Sequence, residues 1–196
     1  EIIRMLKTLV KEENFYKGFS NYIDAYDGKA ATIDQFVNKI LEYNKEIDIQ
    51  KFKIWYMQNG TPKIKFKRIW DKKNQTLIIK TSQSNKNKNT FYNNLPLIIP
   101  INIAIFLSDH KKITKTFILK KDKEDFIVKN IKTNFNKPIL TYFRDFSAPV
   151  EWETDTTFSE KLLILEYETD YFTIYDTIKG IYNFIISNRI SEKPDF

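Results

Sequence analysis

The chain has 196 residues, 42% of them hydrophobic and 15% aromatic, which suffices for a buried core in one or two small domains. It contains no cysteine, which excludes disulfides, thiolate catalysis and cysteine-ligated zinc. The net charge of +7 suits an acidic partner such as nucleic acid. However, the lysines are dispersed in a sequence rich in Asn and Ile, as in proteins from AT-rich genomes. We therefore expect no specific nucleic-acid partner.

Neither a membrane-spanning segment nor a signal peptide is visible. No apolar run reaches the ~20 residues that a membrane helix requires, and the first residues lack a basic region followed by an apolar run. We therefore expect no membrane partner and a cytoplasmic location. The first residue is Glu1 rather than Met, so we expect the sequence to be part of a longer chain.

The apolar residues of positions 1–61 recur at spacings of three and four, which predicts a series of helices. Thr32, with Gln35 three positions later, predicts a capping box, and Asp48 predicts the N-cap of the last helix in the series. Asn59-Gly60 predicts the C-terminal cap of that helix, with Gly60 at positive φ. Pro62 cannot continue a helix, so we expect the helical part to end there.

After Pro62 the apolar period falls to two, with Lys63 and Lys65 facing solvent and Ile64 and Phe66 facing a core. About seven strands with short turns favour an immunoglobulin-like β-sandwich in an α+β chain. The predicted strands are residues 63–70, 77–81, 97–107, 113–120, 126–130, 139–146 and 150–153. Pro100 inside the third strand predicts an edge position or a bulge. Residues 83–94 are too polar to pack and predict a loop.

From residue 159 the helical period returns, and it predicts a short helix over 162–167 and a longer one capped by Asp170. We therefore expect three parts: residues 1–61, 62–155 and 156–196. We also expect the first and last helices to expose apolar side chains that lack a partner within this segment. These side chains belong to Ile2, Ile3, Leu6, Leu9, Val10, Tyr175, Ile178, Tyr182 and Ile185.

No set of residues with catalytic spacing is visible. His110, the sole histidine, fits a general base or a metal ligand, but its polar surroundings favour a solvated loop. Glu12 and Glu13 are adjacent on a helix and do not face each other, so a dipole-favoured first turn is the better interpretation. Arg144 and Asp145 are interpreted as ionic residues of a turn. We assign no catalytic and no metal-binding residue to this segment, and no substrate-binding residue is identified.

Several segments, taken in order, resemble one family. They are Ile3-Arg-Met5, Glu12-Glu-Asn-Phe15, Asp27-Gly28, Ala30-Ala-Thr32, Trp55-Tyr56, Gly60-Thr-Pro62, Ile99-Pro100, Phe146-Ser-Ala-Pro-Val150 and Asp170-Tyr-Phe-Thr-Ile-Tyr-Asp176. The ordered series resembles the bacterial aminopeptidase N branch of the M1 zinc metallopeptidases. The resemblance covers nearly the whole chain.

The resemblance implies that residues 1–61 are the last helices of a thermolysin-like catalytic domain. Residues 62–155 would then be the β-sandwich domain that follows, and residues 156–196 the first helices of a C-terminal helical domain. The family's zinc motif, His-Glu-x-x-His, is absent from this sequence and would lie upstream. The parent would be a zinc-dependent hydrolase that releases N-terminal amino acids from peptide substrates, and this segment would be structural and bind no zinc. The alternatives are a stand-alone β-sandwich interaction domain and a weak nucleic-acid-binding module.

Overall fold

The structure is a computed structural model that describes residues 1–44, 46–85, 95–108 and 111–191, with side chains described up to residue 187. The helices are α1 (Ile2–Val10), α2 (Glu12–Tyr26), α3 (Ile33–Leu41), α4 (Ile49–Met57), α5 (Phe158–Tyr167) and α6 (Tyr171–Ser191). The strands are β1 (Lys63–Asp71), β2 (Thr76–Ser84), β3 (Ile99–Ser108), β4 (Lys111–Leu119), β5 (Lys123–Val128), β6 (Ile139–Thr141) and β7 (Glu151–Glu153). The α+β class is confirmed.

The helix caps predicted at Thr32, Asp48 and Asp170 are confirmed, whereas the helix predicted over 162–167 begins earlier, at Phe158 after the N-cap Thr157. The Thr32 side chain accepts a hydrogen bond from the Gln35 backbone N–H at 3.2 Å, and the Gln35 side chain accepts one from the Thr32 N–H at 2.8 Å. The Asp48 side chain accepts from the Gln50 N–H at 2.8 Å and so caps α4. The Asp170 side chain accepts from the Thr173 N–H at 2.9 Å at the start of α6. Each cap satisfies a backbone donor that has no partner within its helix.

Helices α2 and α3 approach each other closely at Gly18. A Cβ at this position would lie 2.6 Å from the Ile40 Cα and 2.7 Å from the Lys39 carbonyl oxygen. Contacts this short with backbone atoms leave no room for any side chain. Gly18 therefore sets the distance between the two helices, a role that the sequence analysis did not assign.

The passage from helix to strand differs in detail from the prediction. Gly60 has φ +87°, as predicted, and β1 begins directly after Pro62. The predicted Asn59-Gly60 cap is wrong, because α4 already ends at Met57 and Gln58 is extended, with φ −88° and ψ 146°. The Gln58 side chain donates to the Leu95 carbonyl at 3.1 Å. This tertiary contact stabilises the extended conformation of Gln58 and so favours the end of α4 at Met57.

The strands form two sheets, a four-stranded sheet in the order β5-β2-β1-β7 and a three-stranded sheet in the order β4-β3-β6. Neighbouring strands are antiparallel except for β1 and β7, which are parallel. Buried side chains from both sheets, such as Ile64, Leu77, Ile101 and Leu119, belong to one core cluster. The predicted sandwich is confirmed.

The predicted strand over 139–146 is wrong in its second half. Strand β6 ends at Thr141, and Phe143, Asp145 and Phe146 have φ values between +46° and +55°. Residues Arg144–Phe146 form a 3₁₀ turn instead. Left-handed conformations of this kind are incompatible with a strand. The turn points Arg144 and Asp145 towards partners in other elements, described below.

Pro100 lies on β3, which is the middle strand of its sheet, so the predicted edge position is wrong for the strand as a whole. However, β6 pairs only with Ala104–Phe106, so Pro100 has a strand neighbour on one side only. On the open side the Ser147 hydroxyl donates to the Pro100 carbonyl and accepts from the Asn102 N–H, each at 3.1 Å. Ser147 thus replaces a strand partner, and the missing N–H of Pro100 leaves no ladder bond unmade. The bulge in β3 lies between Phe106 and Ser108 instead.

The predicted loop over 83–94 begins later than expected, because β2 extends through Ser84 and residues 86–94 lie outside the described residues. The Gln83 side chain donates to the Leu97 carbonyl and accepts from the Leu97 N–H, both at 2.9 Å. These two bonds mimic a pair of strand hydrogen bonds and explain why a polar residue continues the strand.

The two terminal helices differ in exposure. On α1 the residues Met5, Leu6, Leu9 and Val10 are buried and Ile3 is 52% exposed, so the predicted uncovered face of α1 is wrong except at Ile3. This face is buried because α1 packs against α2 and β3.

On α6, Tyr175 and Tyr182 are 62% and 63% exposed, and Ile178 and Ile185 are also exposed, which confirms the prediction for that helix. None of the described helices is both long and apolar enough to cross a membrane.

Candidate functional site at the open side of the sandwich

The carboxylates considered in the sequence analysis do not form a pair. Glu12 accepts from Lys7 Nζ and Glu13 from Lys17 Nζ, each at 2.7 Å and at the surface. Their charges are thus directed to separate lysines, as expected of first-turn acids. His110 lies outside the described residues. Within the described residues, no group of three or more His, Cys, Asp or Glu side chains could hold a metal ion.

Arg144 and Asp145 do not bind each other. Arg144 pairs with Glu168 at 3.0 Å, whereas Asp145 pairs with Arg4 of α1 at 2.6 Å. The 3₁₀ turn therefore connects α1 on one side with the end of α5 on the other.

The lysine face of β1 is partly neutralised. Lys63 and Lys65 both pair with the Glu153 carboxylate, the latter at 3.3 Å. Glu153 lies on β7, next to β1 in the same sheet. This part of the β1 surface therefore carries less positive charge than the lysine count suggests, which disfavours a nucleic-acid interface along the strand.

One side of the sandwich is closed by helices rather than by long strands. The four-stranded sheet ends here in β7 and the three-stranded sheet in β6, each three residues long. Helix α5 packs against β6, and α6 packs against α5 and the 3₁₀ turn. Two ionic clusters and a cavity lie at this junction, and they are the most elaborate polar arrangement in the described residues.

The first cluster surrounds Arg68 of β1, whose side chain is only 1% exposed. Its Nε donates to Asp155 at 2.6 Å, and its two terminal nitrogens donate to the Glu160 carboxylate at 2.9 and 2.8 Å. One of these nitrogens also donates to the Pro138 carbonyl at 3.1 Å. A buried guanidinium requires such partners, because an unpaired charge in a low-dielectric interior is strongly destabilising. Arg68 therefore connects the sheet to α5.

The second cluster surrounds Glu168, which directly follows α5 and has no exposed side-chain surface. Its carboxylate accepts from Lys112 at 2.7 Å, Arg144 at 3.0 Å, the Thr141 hydroxyl at 3.0 Å and the Thr169 backbone N–H at 2.6 Å. Burial alone would raise the pKa of Glu168, but these hydrogen bonds outweigh it and hold the pKa at about 2. Glu168 therefore connects β4, β6 and the 3₁₀ turn to the α5–α6 connection.

Between these clusters lies a cavity of about 370 Å³. Its walls come from β6, from β7 and the residues after it, and from α5 and α6. The residues that line it include Leu140, Tyr142, Trp152, Lys161, Ile164, Asp176, Lys179 and Gly180. The cavity is of the size that small-molecule sites usually have.

Two polar groups of the cavity lining are unusual. The Tyr142 hydroxyl is buried and has no hydrogen-bond partner among the described residues, and burial raises its pKa. Burial also raises the pKa of the Asp176 carboxyl, against the opposing charges of Lys179 and Lys161. Perturbed groups beside a cavity are typical of functional sites, although structural clusters perturb pKa values as well.

Sequence reasoning missed both clusters, for different reasons. Arg68 could have been found, because residues 64, 66 and 68 share the inward face of β1 and an arginine there breaks the apolar pattern. Glu168 gave no such signal, because Lys112 and Arg144 lie 56 and 24 positions away in the chain.

The comparisons with known proteins agree with this architecture. A family model described as "Domain of unknown function (DUF3458) Ig-like fold" matches residues 60–155. Over 189 residues the chain is 30% identical to Aminopeptidase N of Haemophilus influenzae, which covers 93% of this chain and 22% of that protein. The present chain is therefore similar to aminopeptidase N. The resemblance inferred from the sequence is thereby confirmed.

Other aminopeptidase N proteins give the same result. The Escherichia coli protein is 27% identical over 190 residues, covering 92% of this chain and 21% of its own length. The Caulobacter vibrioides protein is 30% identical over 195 residues, covering 100% of this chain and 22% of its own length. The chain thus spans about a fifth of each of these aminopeptidase N relatives.

A solved structure shows the same fold. The crystal structure of Legionella pneumophila aminopeptidase A in complex with aspartic acid superposes with a TM-score of 0.84 at 22% sequence identity. The match covers 98% of this chain and 22% of that chain. The arrangement of helices and sandwich is therefore shared with this aminopeptidase.

Proposed function

We propose that this chain is a non-catalytic, structural segment of an M1-type zinc aminopeptidase that releases N-terminal amino acids from peptides. The observation that carries the proposal is its similarity to aminopeptidase N, which extends over 92–100% of the chain in three relatives. The three-part division at 1–61, 62–155 and 156–196 belongs to the proposal.

The geometry supports a structural role for the junction. Arg68 binds Asp155 in the connection between β7 and α5 and Glu160 in α5 itself. Glu168 binds groups from β4, β6 and the 3₁₀ turn. Charge-assisted hydrogen bonds are directional as well as strong. The segment would thus hold the sandwich and the following helices in a defined orientation.

The zinc of the proposed parent does not fit the described residues, which provide no group of three ligands. Its ligands would lie outside this segment, and the chemistry that a bound zinc would supply there is the activation of water. This segment would contribute no residue to the peptide-cleaving site of the parent. A cytoplasmic location is also part of the proposal, supported by the absence of cysteine.

The test compares the segment with the complete product of its reading frame. We expect an in-frame His-Glu-x-x-His sequence upstream of Glu1, and chelator-sensitive release of N-terminal amino acids by the complete protein. We expect the 196-residue chain to show no such activity and to retain no stoichiometric zinc after dialysis. A reading frame without the zinc motif, with a complete product that cleaves no peptide, would overturn the proposal in favour of an interaction domain.

A further inference from the structure

The cavity at the open side of the sandwich carries charges of both signs, Asp176 against Lys161 and Lys179, which attract each other but form no direct ion pair within the described residues. Asp176 of α6 forms no hydrogen bond or ion pair within the described part of the chain, although burial raises its pKa. The other acid of the cavity, Glu153, is already paired with Lys63 and Lys65. Asp176 is therefore the acidic group of this cavity that is left to bind a cation.

Two lysines provide the opposite charge. Lys161 of α5 and Lys179 of α6 both line the cavity, and neither forms an ion pair among the described residues. The Lys161 Nζ lies over Gly180, since a Cβ built at Gly180 would be 3.1 Å from it. The missing side chain of Gly180 thus leaves space for the ammonium group beside the cavity.

The remaining walls suit a small organic molecule rather than a bare ion. Leu140, Trp152 and Ile164 provide apolar surface, and the buried Tyr142 hydroxyl has no partner in the described part of the chain. A lone carboxylate does not make a site for a divalent metal, which requires several oxygen ligands. An apolar ligand would leave Asp176 without a partner. A polyanion would be repelled by the negative charge of the Asp176 carboxylate.

We propose that this cavity binds a zwitterion of amino-acid or dipeptide size, with its ammonium group at Asp176 and its carboxylate at Lys161 and Lys179. Both charges of such a ligand meet opposite charges, and its side chain meets the apolar wall. The cavity volume of about 370 Å³ leaves room for a dipeptide. The proposal concerns the chain itself and does not depend on the peptidase activity of a parent.

The test measures binding of L-alanyl-L-alanine to the 196-residue chain by calorimetry and by the shift in its unfolding temperature. Two blocked analogues, L-alanyl-L-alanine amide and N-acetyl-L-alanyl-L-alanine, each retain only one charge. We expect saturable binding of the zwitterion and at least about tenfold weaker binding of each analogue, as expected when a charged contact is lost. A ligand that binds the folded state alone raises the unfolding temperature.

Variants locate the site. Asp176→Asn should weaken binding of L-alanyl-L-alanine at least about tenfold, and Lys179→Gln should weaken it in the same direction. Asp125→Asn, which neutralises an exposed carboxylate on β5, is the matched control and should leave binding unchanged. Asp176→Asn should fold, because burial disfavours the charge of this carboxyl more than Lys179 and Lys161 stabilise it.

Three results would overturn the proposal: no saturable binding of the zwitterion at millimolar concentration, equal binding of the blocked analogues, or unchanged binding by Asp176→Asn. If Asp176→Asn did not fold, the comparison of the three probes on the unaltered chain would still decide the matter.

Discussion

The guanidinium of Arg68 and the carboxylate of Glu160 form a bidentate ion pair, with nitrogen–oxygen distances of 2.9 and 2.8 Å. The same Glu160 carboxylate accepts from the Thr157 backbone N–H at 2.8 Å, as the reciprocal half of the α5 capping box. The start of α5 and its attachment to β1 therefore depend on one side chain. Loss of Arg68 should affect the helix start as well as the sheet.

Replacement of Arg68 by lysine tests this ion pair. A lysine retains the charge but cannot match both oxygens of Glu160 and also reach Asp155, because its ammonium is a point donor. We expect the free energy of unfolding to fall by about 2 kcal/mol, as for lost hydrogen bonds to charged groups. The measurement is urea denaturation. The control, Lys67→Arg on the exposed face of β1, should change stability by less than about 0.5 kcal/mol. Equal effects of the two variants would contradict the interpretation.

Glu168 predicts a loss of stability at low pH. Its pKa is lowered from 4.5 to about 2 in the folded chain, so protonation favours the unfolded state. The stabilisation is fully present above pH ~4.5 and is lost as the pH falls towards about 2. It amounts to about 3 kcal/mol, at 1.36 kcal/mol for each pKa unit.

Glu168→Gln should therefore destabilise the chain at pH 7 and flatten the stability profile between pH 4.5 and 2, as measured by denaturation at several pH values. Glu166→Gln, an exposed change on α5, is the control and should leave the profile unchanged. If the stability of Glu168→Gln fell with pH in parallel with that of the unaltered chain, other carboxylates would be the cause of the stability loss at low pH.

The two helical glycines Gly18 and Gly180 should respond oppositely to alanine. At Gly18 the new Cβ would meet backbone atoms of α3 at 2.6 and 2.7 Å, so α2 and α3 must separate, at a cost of about 1–3 kcal/mol. At Gly180 the nearest atom is the movable Lys161 Nζ at 3.1 Å. Alanine there should raise stability by about 0.5–1 kcal/mol through helix propensity. Thermal unfolding of both variants gives the comparison, and a stable Gly18→Ala protein would refute the close approach of the helices.

Gly60→Ala tests the passage from α4 into β1. The φ of +87° is unfavourable for any residue with a Cβ, so we expect a loss of about 1 kcal/mol or more in the free energy of unfolding. Asn59→Ala at the neighbouring exposed position should change it by less than about 0.5 kcal/mol. An unchanged denaturation midpoint in Gly60→Ala would mean that the glycine is not held in this conformation.

The exposed face of α6 should bind hydrophobic dye and promote self-association of the 196-residue chain. Tyr175 and Tyr182 are 62% and 63% exposed and lie about two turns apart on one face of this helix. Apolar patches of this kind favour association. Replacing both by glutamine should lower dye fluorescence and shift the chain towards monomer in sedimentation. Tyr16→Gln, which removes a single exposed tyrosine from a different helix, α2, should have a smaller effect on both measurements. A fragment of residues 62–155, which lacks α6, should associate less than the full chain.

Local patterns predicted much of the fold. The caps at Thr32, Asp48 and Asp170 and the change of period at Pro62 depend on neighbouring residues, so the sequence contains them directly. The helix exit at Gln58 was not predictable, because a distant carbonyl at Leu95 determines it.

The features of the candidate site were harder to predict, because they depend on tertiary contacts. The cluster around Glu168 requires that β4, the 3₁₀ turn and α5 meet in space. Asp176 and Lys161 face one cavity only because α5 and α6 cover the open side of the sandwich. The positions of these residues along the sequence do not indicate that they lie close together in the fold.

The short strands β6 and β7 have a consequence for aggregation. Exposed sheet edges are templates for intermolecular strand pairing, and proteins suppress it with very short or lysine-rich edge strands. Here the β6 and β7 edges are three residues long and lie beside α5 and α6. The β4 edge carries Lys111, Lys112 and Lys115, and the β5 edge begins with the charged residues Lys123, Glu124 and Asp125. Association of this chain should therefore proceed through helix contacts and remain reversible, without the growth of cross-β fibrils.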